Sequence, residues 1–381
     1  ALIPEPRRLG GTDLGADDVA RSMTPAAHVP PRRSVSSRKH RLPQRILKAC
    51  LAAASSMVVF VLLAEGAARL AGWKPEPAGA ALFRSLGTGQ YYALAPGSIS
   101  TMPGSKSEIR ANNFGVRGRD VAAKQAGDKR IVVLGDSVAF GYELPEEVTF
   151  PTLLDRAYAN AQPKADVVNG SIAAWSRAQE RMFVERYGEQ LKPDLILVTV
   201  VHNDLSELQV SEAELRVGVV VGNAFAWLGA RSALVGELKR RMRGWVTDPS
   251  RLATVEARMQ DPSSPRVLAA LELEYRELDR IRELAAAQGA RVGLVLMPYS
   301  FQLKKPGSEV LQQAHLDYAR RNGLPVLDLL PVLRAGDDGT QLYMPGLGPY
   351  PDEVHFNADG HRRVADAIRT WIDENGLLTR P

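Results

Sequence analysis

Five short runs rich in β-branched and other apolar residues punctuate the chain after position 129: "RIVVLG" (130–135), "ADVVNG" (165–170), "DLILVTVV" (194–201), "RVGLVLMP" (291–298) and "LPVLDLL" (324–330). None alternates cleanly between apolar and polar positions, so each reads as a strand covered on both faces, as a parallel sheet between helical layers requires. Between them the pattern predicts helices over about 150–161, 176–191, 265–288, 308–322 and 357–374. Strands alternating with helices imply right-handed βαβ crossovers and a doubly wound α/β sheet. Ligands of such sheets bind at the carboxyl ends of the strands.

One apolar run is too long for this scheme. Residues 46–64, "ILKACLAAASSMVVFVLLA", are interrupted only by Lys48 and two serines. At about 1.5 Å per residue they cover most of a hydrocarbon core roughly 30 Å thick. Arg32, Arg33, Arg38, Lys39, Arg41, Arg45 and Lys48 crowd the N-terminal flank, which by the positive-inside rule places the N-terminus in the cytosol and the body outside. The leader before the run favours an uncleaved signal-anchor over residues 45–66. A cleaved signal peptide, with Ala64, Gly66 and Ala68 as small processing residues, and a buried core helix are the alternatives. The expectation is a single-pass protein of a bacterial cytoplasmic membrane with its body periplasmic or extracellular.

Residues 1–44, rich in Pro, Ser and charge and without an apolar period, predict a disordered basic tail. Residues 67–125 are Gly- and Pro-rich and read as an extended linker and N-terminal extension. Residues 126–381 form the main domain, interrupted by an insertion at 205–264. Within it "AFAWLGARSALVGELKRRMRGW" (224–245) has helical spacing and a basic end, open to reading as a lid, a membrane-surface helix or an ordinary packing helix.

Composition adds limits more than direction. The chain has 381 residues, 45% hydrophobic and 24% charged, enough for a sizeable core. Its net charge of +5 invites a nucleic-acid reading, but residues 1–48 hold ten basic and four acidic residues, so the tail carries +6 and the remainder −1. A nearly neutral body does not imply a nucleic-acid face. The single cysteine, Cys50, excludes an internal disulfide and a cysteine metal cluster.

The chemistry starts at the first buried run, which ends in "GDS" at 135–137. A serine directly after a buried strand is presented at the sheet's carboxyl edge, making Ser137 a candidate nucleophile. Asp136 is assigned to the backbone of the corner. A hydroxyl needs a base, and the base needs an orienting group. In "YPDEVHFNADGHRR" (350–363), Asp352 stands three residues before His355, so a carboxylate and an imidazole can pair within one loop. His361 is the competing base, but Asn357 reads as the cap of a helix containing it, which assigns it a structural role. His315 reads as a surface residue on a helix. Gly170, ending the second run, allows close approach of its backbone N–H; Asn203, ending the third, offers a side-chain amide; His202 beside it is a candidate substrate contact.

In this order Ser137, Gly170, Asn203 and His355 resemble the four blocks of the SGNH/GDSL hydrolase superfamily: "GDS", a glycine, "GxND" and "DxxH". The glycine of the third block is Val201 here. "NNFGVRG" (112–118) is also similar to the N-x-x-G-x-R-G stretch of bacterial membrane-anchored members, at Asn112, Gly115, Arg117 and Gly118. The resemblance implies a flavodoxin-like three-layer α/β/α fold and a serine esterase that needs no metal or organic cofactor. Ser137 would be the nucleophile, His355 the base and Asp352 its orienter, with Ser137, Gly170 and Asn203 forming the oxyanion hole. The implied substrates are acyl esters of small molecules, envelope glycans or lipids. An O-acyltransferase with the same triad and a non-catalytic glycan-binding domain are the rival readings.

Overall fold

The computed structural model describes residues 44–75, 83–85, 91–101, 107–201, 221, 224–225, 227–238, 261, 263–304, 306–335, 339–345 and 352–379. The tail at 1–43, His202, Asn203 and most of the insertion lie outside the described residues. The long apolar run folds as one helix, α1 (Gln44–Leu70), whose stretch Ile46–Leu70 is long and apolar enough to cross a membrane. It continues past the predicted end at 66 because Ala67 and Ala68 are strong helix formers and Glu65 pairs with Arg69 at 2.7 Å, one turn apart. It stops at Gly72, φ 81°, whose N–H donates to Arg69 O while Trp73 N–H donates to Ala68 O, the paired bonds of a Schellman cap.

Two antiparallel ladders follow, β1 (Phe83–Ser85) with β2 (Tyr92–Leu94) and β3 (Ile99–Thr101) with β4 (Glu108–Arg110). The stretch read from sequence as an extended linker is, in its described part, packed: Tyr91, Leu94, Ile109, Phe114 and Val116 are buried, and the Trp175 indole donates to Tyr92 O at 2.9 Å. Its aromatic and aliphatic residues supply a core contribution that its Gly and Pro content obscures.

Five strands form the main sheet: β5 (Lys129–Gly135), β6 (Ala165–Ser171), β7 (Leu195–Val200), β8 (Arg291–Leu296) and β9 (Val326–Asp328). Their order is β6-β5-β7-β8-β9 and every neighbouring pair is parallel. The connection from β5 goes one way to β6 and the next goes back past it to β7, so the carboxyl ends of β5 and β7 open at a topological switch point. The helices between are α2 (Ser137–Phe140), α3 (Phe150–Tyr158), α4 (Arg177–Leu191), α5 (Pro265–Ala287), α6 (Ser300–Lys304), α7 (Val310–Arg321), α8 (Leu329–Arg334) and α9 (Ala358–Glu374).

Successive strand residues feed opposite cores, which is why the runs are apolar at every position. Ile131, Val133, Leu195, Leu197 and Val295 pack in one core with Leu154 of α3 and Ile368 of α9. Val132, Leu134, Ile196, Val198 and Leu294 pack in the other with Phe183 of α4, Ile281 of α5 and Tyr318 of α7. The result is the three-layer α/β/α sandwich expected from the pattern. β9 ends sooner than predicted because Asp328 Oδ1 accepts the Leu330 N–H at 3.0 Å and starts α8. His315, read as a surface residue, is instead 1% exposed. It shares the inner stripe of α7 with Leu311 and Ala319, at four-residue spacing, and its Nδ1 meets Leu311 O at 2.8 Å.

Candidate active site

At the switch point β5 and β7 approach so closely that a Cβ on Gly135 would collide with Thr199 Oγ1, which itself donates to Leu134 O at 2.9 Å. The chain then turns at once into α2. Asp136 caps that turn, its Oδ1 accepting the Val138 N–H at 2.9 Å. Oδ1 thus serves the corner, as the sequence reading assigned it, while Oδ2 lies 3.4 Å from the Oγ of Ser137, which stands at the first helical position. Its Oγ lies 2.9 Å from His355 Nε2, across 218 positions of sequence.

His355 is held from both sides. Tyr343 and Phe356 form an antiparallel bridge, and Met344 N–H donates to His355 O at 2.8 Å. Asn357 caps α9, as its sequence context suggests, accepting from the N–H groups of Asp359 and Gly360 at 3.0 Å each. Its own amide nitrogen donates to Gln341 O at 2.6 Å and Tyr343 O at 3.1 Å. The Tyr343 hydroxyl donates to Pro298 O at 2.7 Å, tying this loop to the chain leaving β8.

Within the loop, His355 Nδ1 lies 2.8 Å from Asp352 Oδ2, while Asp352 Oδ1 accepts the N–H groups of Val354 at 2.9 Å and His355 at 2.8 Å. Burial would raise the Asp352 carboxyl, but these hydrogen bonds and the imidazole hold it below the usual carboxylate range. Burial would likewise lower His355, yet the bond to Asp352 and the negative fields of Asp136 and Glu143 leave it above the ordinary histidine value. An ionised carboxylate only accepts, so Nδ1 carries the proton and Nε2 faces the Ser137 hydroxyl as an acceptor. A hydroxyl, an imidazole and a carboxylate in this line form an arrangement able to generate a serine nucleophile.

Tyr142 stacks on the His355 ring with centroids 5.1 Å apart and planes 28° apart. The loop carrying it is clamped by a residue whose role sequence reasoning did not reach. Arg117, 2% exposed, donates from Nη1 to Phe140 O at 2.9 Å and Gly141 O at 2.7 Å, and from Nη2 to Leu144 O at 2.5 Å. Burial lowers its pKa to about 10, opposed by Glu146 and Glu147, so it stays charged at neutral pH. Asn112 shapes the turn that delivers it, accepting from Phe114 N–H at 2.9 Å and Val116 N–H at 3.3 Å. The "NNFGVRG" stretch therefore braces the segment immediately behind Ser137.

Gly170 does not sit at the strand's edge. It pairs with Leu134 inside β6, and a Cβ there would lie 2.9 Å from Phe183 and 3.1 Å from Val133 O, so its bareness serves the packing of α4 on the sheet. The unusual backbone comes later, at Ala174, an exposed non-glycine residue with φ 63° in a turn closed by Trp175 N–H to Ile172 O at 3.1 Å. Tyr92 donates to Ala173 O at 3.1 Å. In a trans peptide the amide opposes the carbonyl, so this bond aims the Ala174 N–H away from Tyr92. Val201, in place of the third block's glycine, is 2% exposed and packs in the core just past the end of β7. His361 is 1% exposed, accepts the Phe150 N–H on Nδ1 at 3.1 Å, and is pushed down to about 3 by burial and by the charges of Arg117 and His355. It is a neutral core residue, as its cap context suggested.

Among known families, residues 133–363 match the GDSL-like Lipase/Acylhydrolase family, a span that includes Ser137, Asp352 and His355. An arylesterase of Vibrio mimicus is 36% identical over 83 residues, covering 22% of this chain and 41% of that protein's length. Two solved structures are among those this chain is similar to. A member of the lipolytic protein G-D-S-L family from Veillonella parvula covers 64% of this chain and 97% of its own, at 16% identity and a TM-score of 0.38. A lipase/acylhydrolase from Enterococcus faecalis covers 65% of this chain and 96% of its own, at 14% identity and a TM-score of 0.39.

Proposed function

The chain belongs to the GDSL-like Lipase/Acylhydrolase family, and from this premise we propose that it is a serine esterase whose nucleophile is Ser137. The observation that carries the reading is the hydrogen-bonded line Ser137–His355–Asp352 at the switch point, 2.9 and 2.8 Å in its two links. Ser137 Oγ attacks the acyl carbon as its proton passes to His355 Nε2. The tetrahedral intermediate collapses, and His355 returns the proton to the departing alcohol. Water, deprotonated by the same nitrogen, then attacks the acyl-enzyme, and the proton passes to Ser137 Oγ as it departs and the acid is released. Asp352 holds the tautomer and stabilises the imidazolium at each transfer.

The oxyanion is received by the N–H of Ser137, the side-chain amide of Asn203 and the N–H of Ala174, which supplants Gly170 in this role because its peptide is turned outward. Loss of one such donor typically costs about 10²–10³ in turnover. The substrates are acyl esters on glycans or lipids of the bacterial envelope. α1 spans the cytoplasmic membrane with the basic tail in the cytosol and the esterase body on the far side, a topology supported by the apolar run and its asymmetric basic flank.

The test is hydrolysis of an aryl acetate by the full chain in detergent or vesicles. Wild type turns over, and Ser137→Ala loses about 10⁴-fold or more while keeping its unfolding midpoint. Equal activity of the two proteins overturns the assignment. Acetylation of an added oligosaccharide with negligible hydrolysis would instead identify an acyltransferase using the same residues.

A further inference from the structure

Among the described residues, the insertion meets α1 at Glu65 and Arg69. Glu65 follows Leu62, Leu63 and Ala64, the last apolar residues of the long run. Its carboxylate accepts from Ser232 Oγ at 2.7 Å, Ala233 N–H at 2.9 Å and Leu234 N–H at 3.1 Å. Ser232 itself caps the helix over 233–238, its Oγ accepting the Val235 N–H at 3.0 Å. A carboxylate on the free N–H groups of a first helical turn is a favourable anchor. One turn along α1, Arg69 donates to Arg231 O at 3.0 Å and closes a second tie.

The described residues before this anchor are helical at 221, 224–225 and 227–229. Val221, Phe225 and Leu228 recur at helical spacing, with 44%, 51% and 41% exposure, and Trp227 is 56% exposed. Arg231 stacks over the Trp227 ring at 4.3 Å, giving the patch an aromatic and cationic rim. Leu238, on the far side of the anchor, is 54% exposed. Large apolar side chains rimmed by Trp and Arg are what an element lying in the headgroup region presents.

We propose that the described residues between Val221 and Leu238 belong to a membrane-interface element that lies on the same bilayer α1 spans, with Val221, Phe225, Trp227 and Leu228 inserted at the level of the headgroups and upper acyl chains. The occupant is the lipid surface because the anchor is the residue at which the apolar run ends. A patch tied there by side-chain contacts is held at the depth where the bilayer meets water. This rests on α1 being a membrane span. It adds that the esterase body is fastened to the surface by its insertion as well as tethered by the helix.

The experiment uses the full chain in vesicles of zwitterionic and anionic phospholipid, in a Cys50→Ser background. An environment-sensitive fluorophore is placed on Trp227→Cys, on Phe60→Cys within the span, or on Glu283→Cys on α5. Lipids carrying a nitroxide at the headgroup boundary or high on the acyl chain report depth, and iodide reports contact with water. Strong nitroxide quenching at 60 and 227, with only iodide quenching at 283, is the expected result. Quenching at 60 with iodide access at 227 overturns the interface element and leaves the span standing. Protection of 227 from both quenchers means a protein surface covers the patch, which also overturns it. Absence of nitroxide quenching at 60 removes the span and the proposal with it.

Discussion

The His355 imidazole lies between Ser137 and Asp352 with about a fifth of its side chain exposed, and both oxygens of Asp352 are hydrogen-bonded. The Arg177 guanidinium also lies between two acidic groups, Glu180 and Glu274 at 2.9 Å, but all three are fully buried. Among the described residues Glu180 Oε1 and Glu274 Oε2 have no hydrogen-bond partner. Burial drives the Glu180 carboxyl well above its ordinary range, against the pull of Arg177. Arg177 also donates to Thr199 O at 3.1 Å, on the strand that flanks Ser137. Both clusters set a nitrogen-bearing side chain against acidic groups, one at the carboxyl end of β5 and the other beside β7. The first is partly exposed, with its groups in a line able to pass a proton. The second braces β7 at the cost of desolvated charge, and the difference is one of access and satisfied lone pairs rather than residue type.

Substitutions can break this contrast from either side. Asp352→Asn leaves shape intact but offers His355 the wrong partner, and kcat/KM is expected to fall about 10⁴-fold with unfolding unchanged. The pH profile sharpens the assignment. Hydrolysis needs neutral His355, whose pKa is raised, so activity in wild type falls as pH drops through a value above 6.5. In Asp352→Asn the raising partner is gone and that inflection moves to lower pH; an unmoved inflection would detach Asp352 from the base. Arg177→Met leaves Glu180 and Glu274 buried without their partner and is expected to cost about 3–5 kcal/mol in urea unfolding.

Smaller effects probe the braces. Arg117→Lys cannot span three carbonyls with one ammonium, and a loosened segment behind Ser137 is expected to reduce kcat about 10²-fold, with far less change in KM. Glu180→Gln is expected to shift stability by under about 1 kcal/mol at neutral pH. Its sign depends on pH: a carboxyl with a raised folded-state pKa contributes stability below its unfolded value, lost as pH rises through the folded one. Wild type is therefore favoured over Glu180→Gln in acid and loses that advantage as pH rises, which paired thermal melts across pH would detect.

The layered fold could be read from the chain because each strand run is apolar on both faces and each helix is separately periodic. Asp352 and His355 were readable as a pair because three residues in one loop leave little freedom, and Asn357 because a cap is a local event. Arg117 was visible only as a resemblance, since its partners are carbonyls 23 to 27 positions away that no side-chain pattern announces. Ala174, proposed above as an oxyanion donor, went unread because a left-handed turn is looked for at glycine, and the packing of Gly170 against Phe183 is not announced by spacing. Arg177, Glu180 and His315 sit in segments that read as ordinary amphipathic helix. Which polar residues turn inward depends on neighbours from α5 and β7 that spacing alone does not identify.

The central claim is that Ser137 is the group an acylating reagent meets. Treating the full chain with a fluorophosphonate and mapping the adduct by peptide mass spectrometry tests it directly. The account predicts one adduct, on the peptide containing Ser137, formed faster as pH rises through the His355 inflection and absent from Ser137→Ala. An unmodified Ser137 under conditions that label a control serine hydrolase, or an adduct that persists in Ser137→Ala, would contradict it.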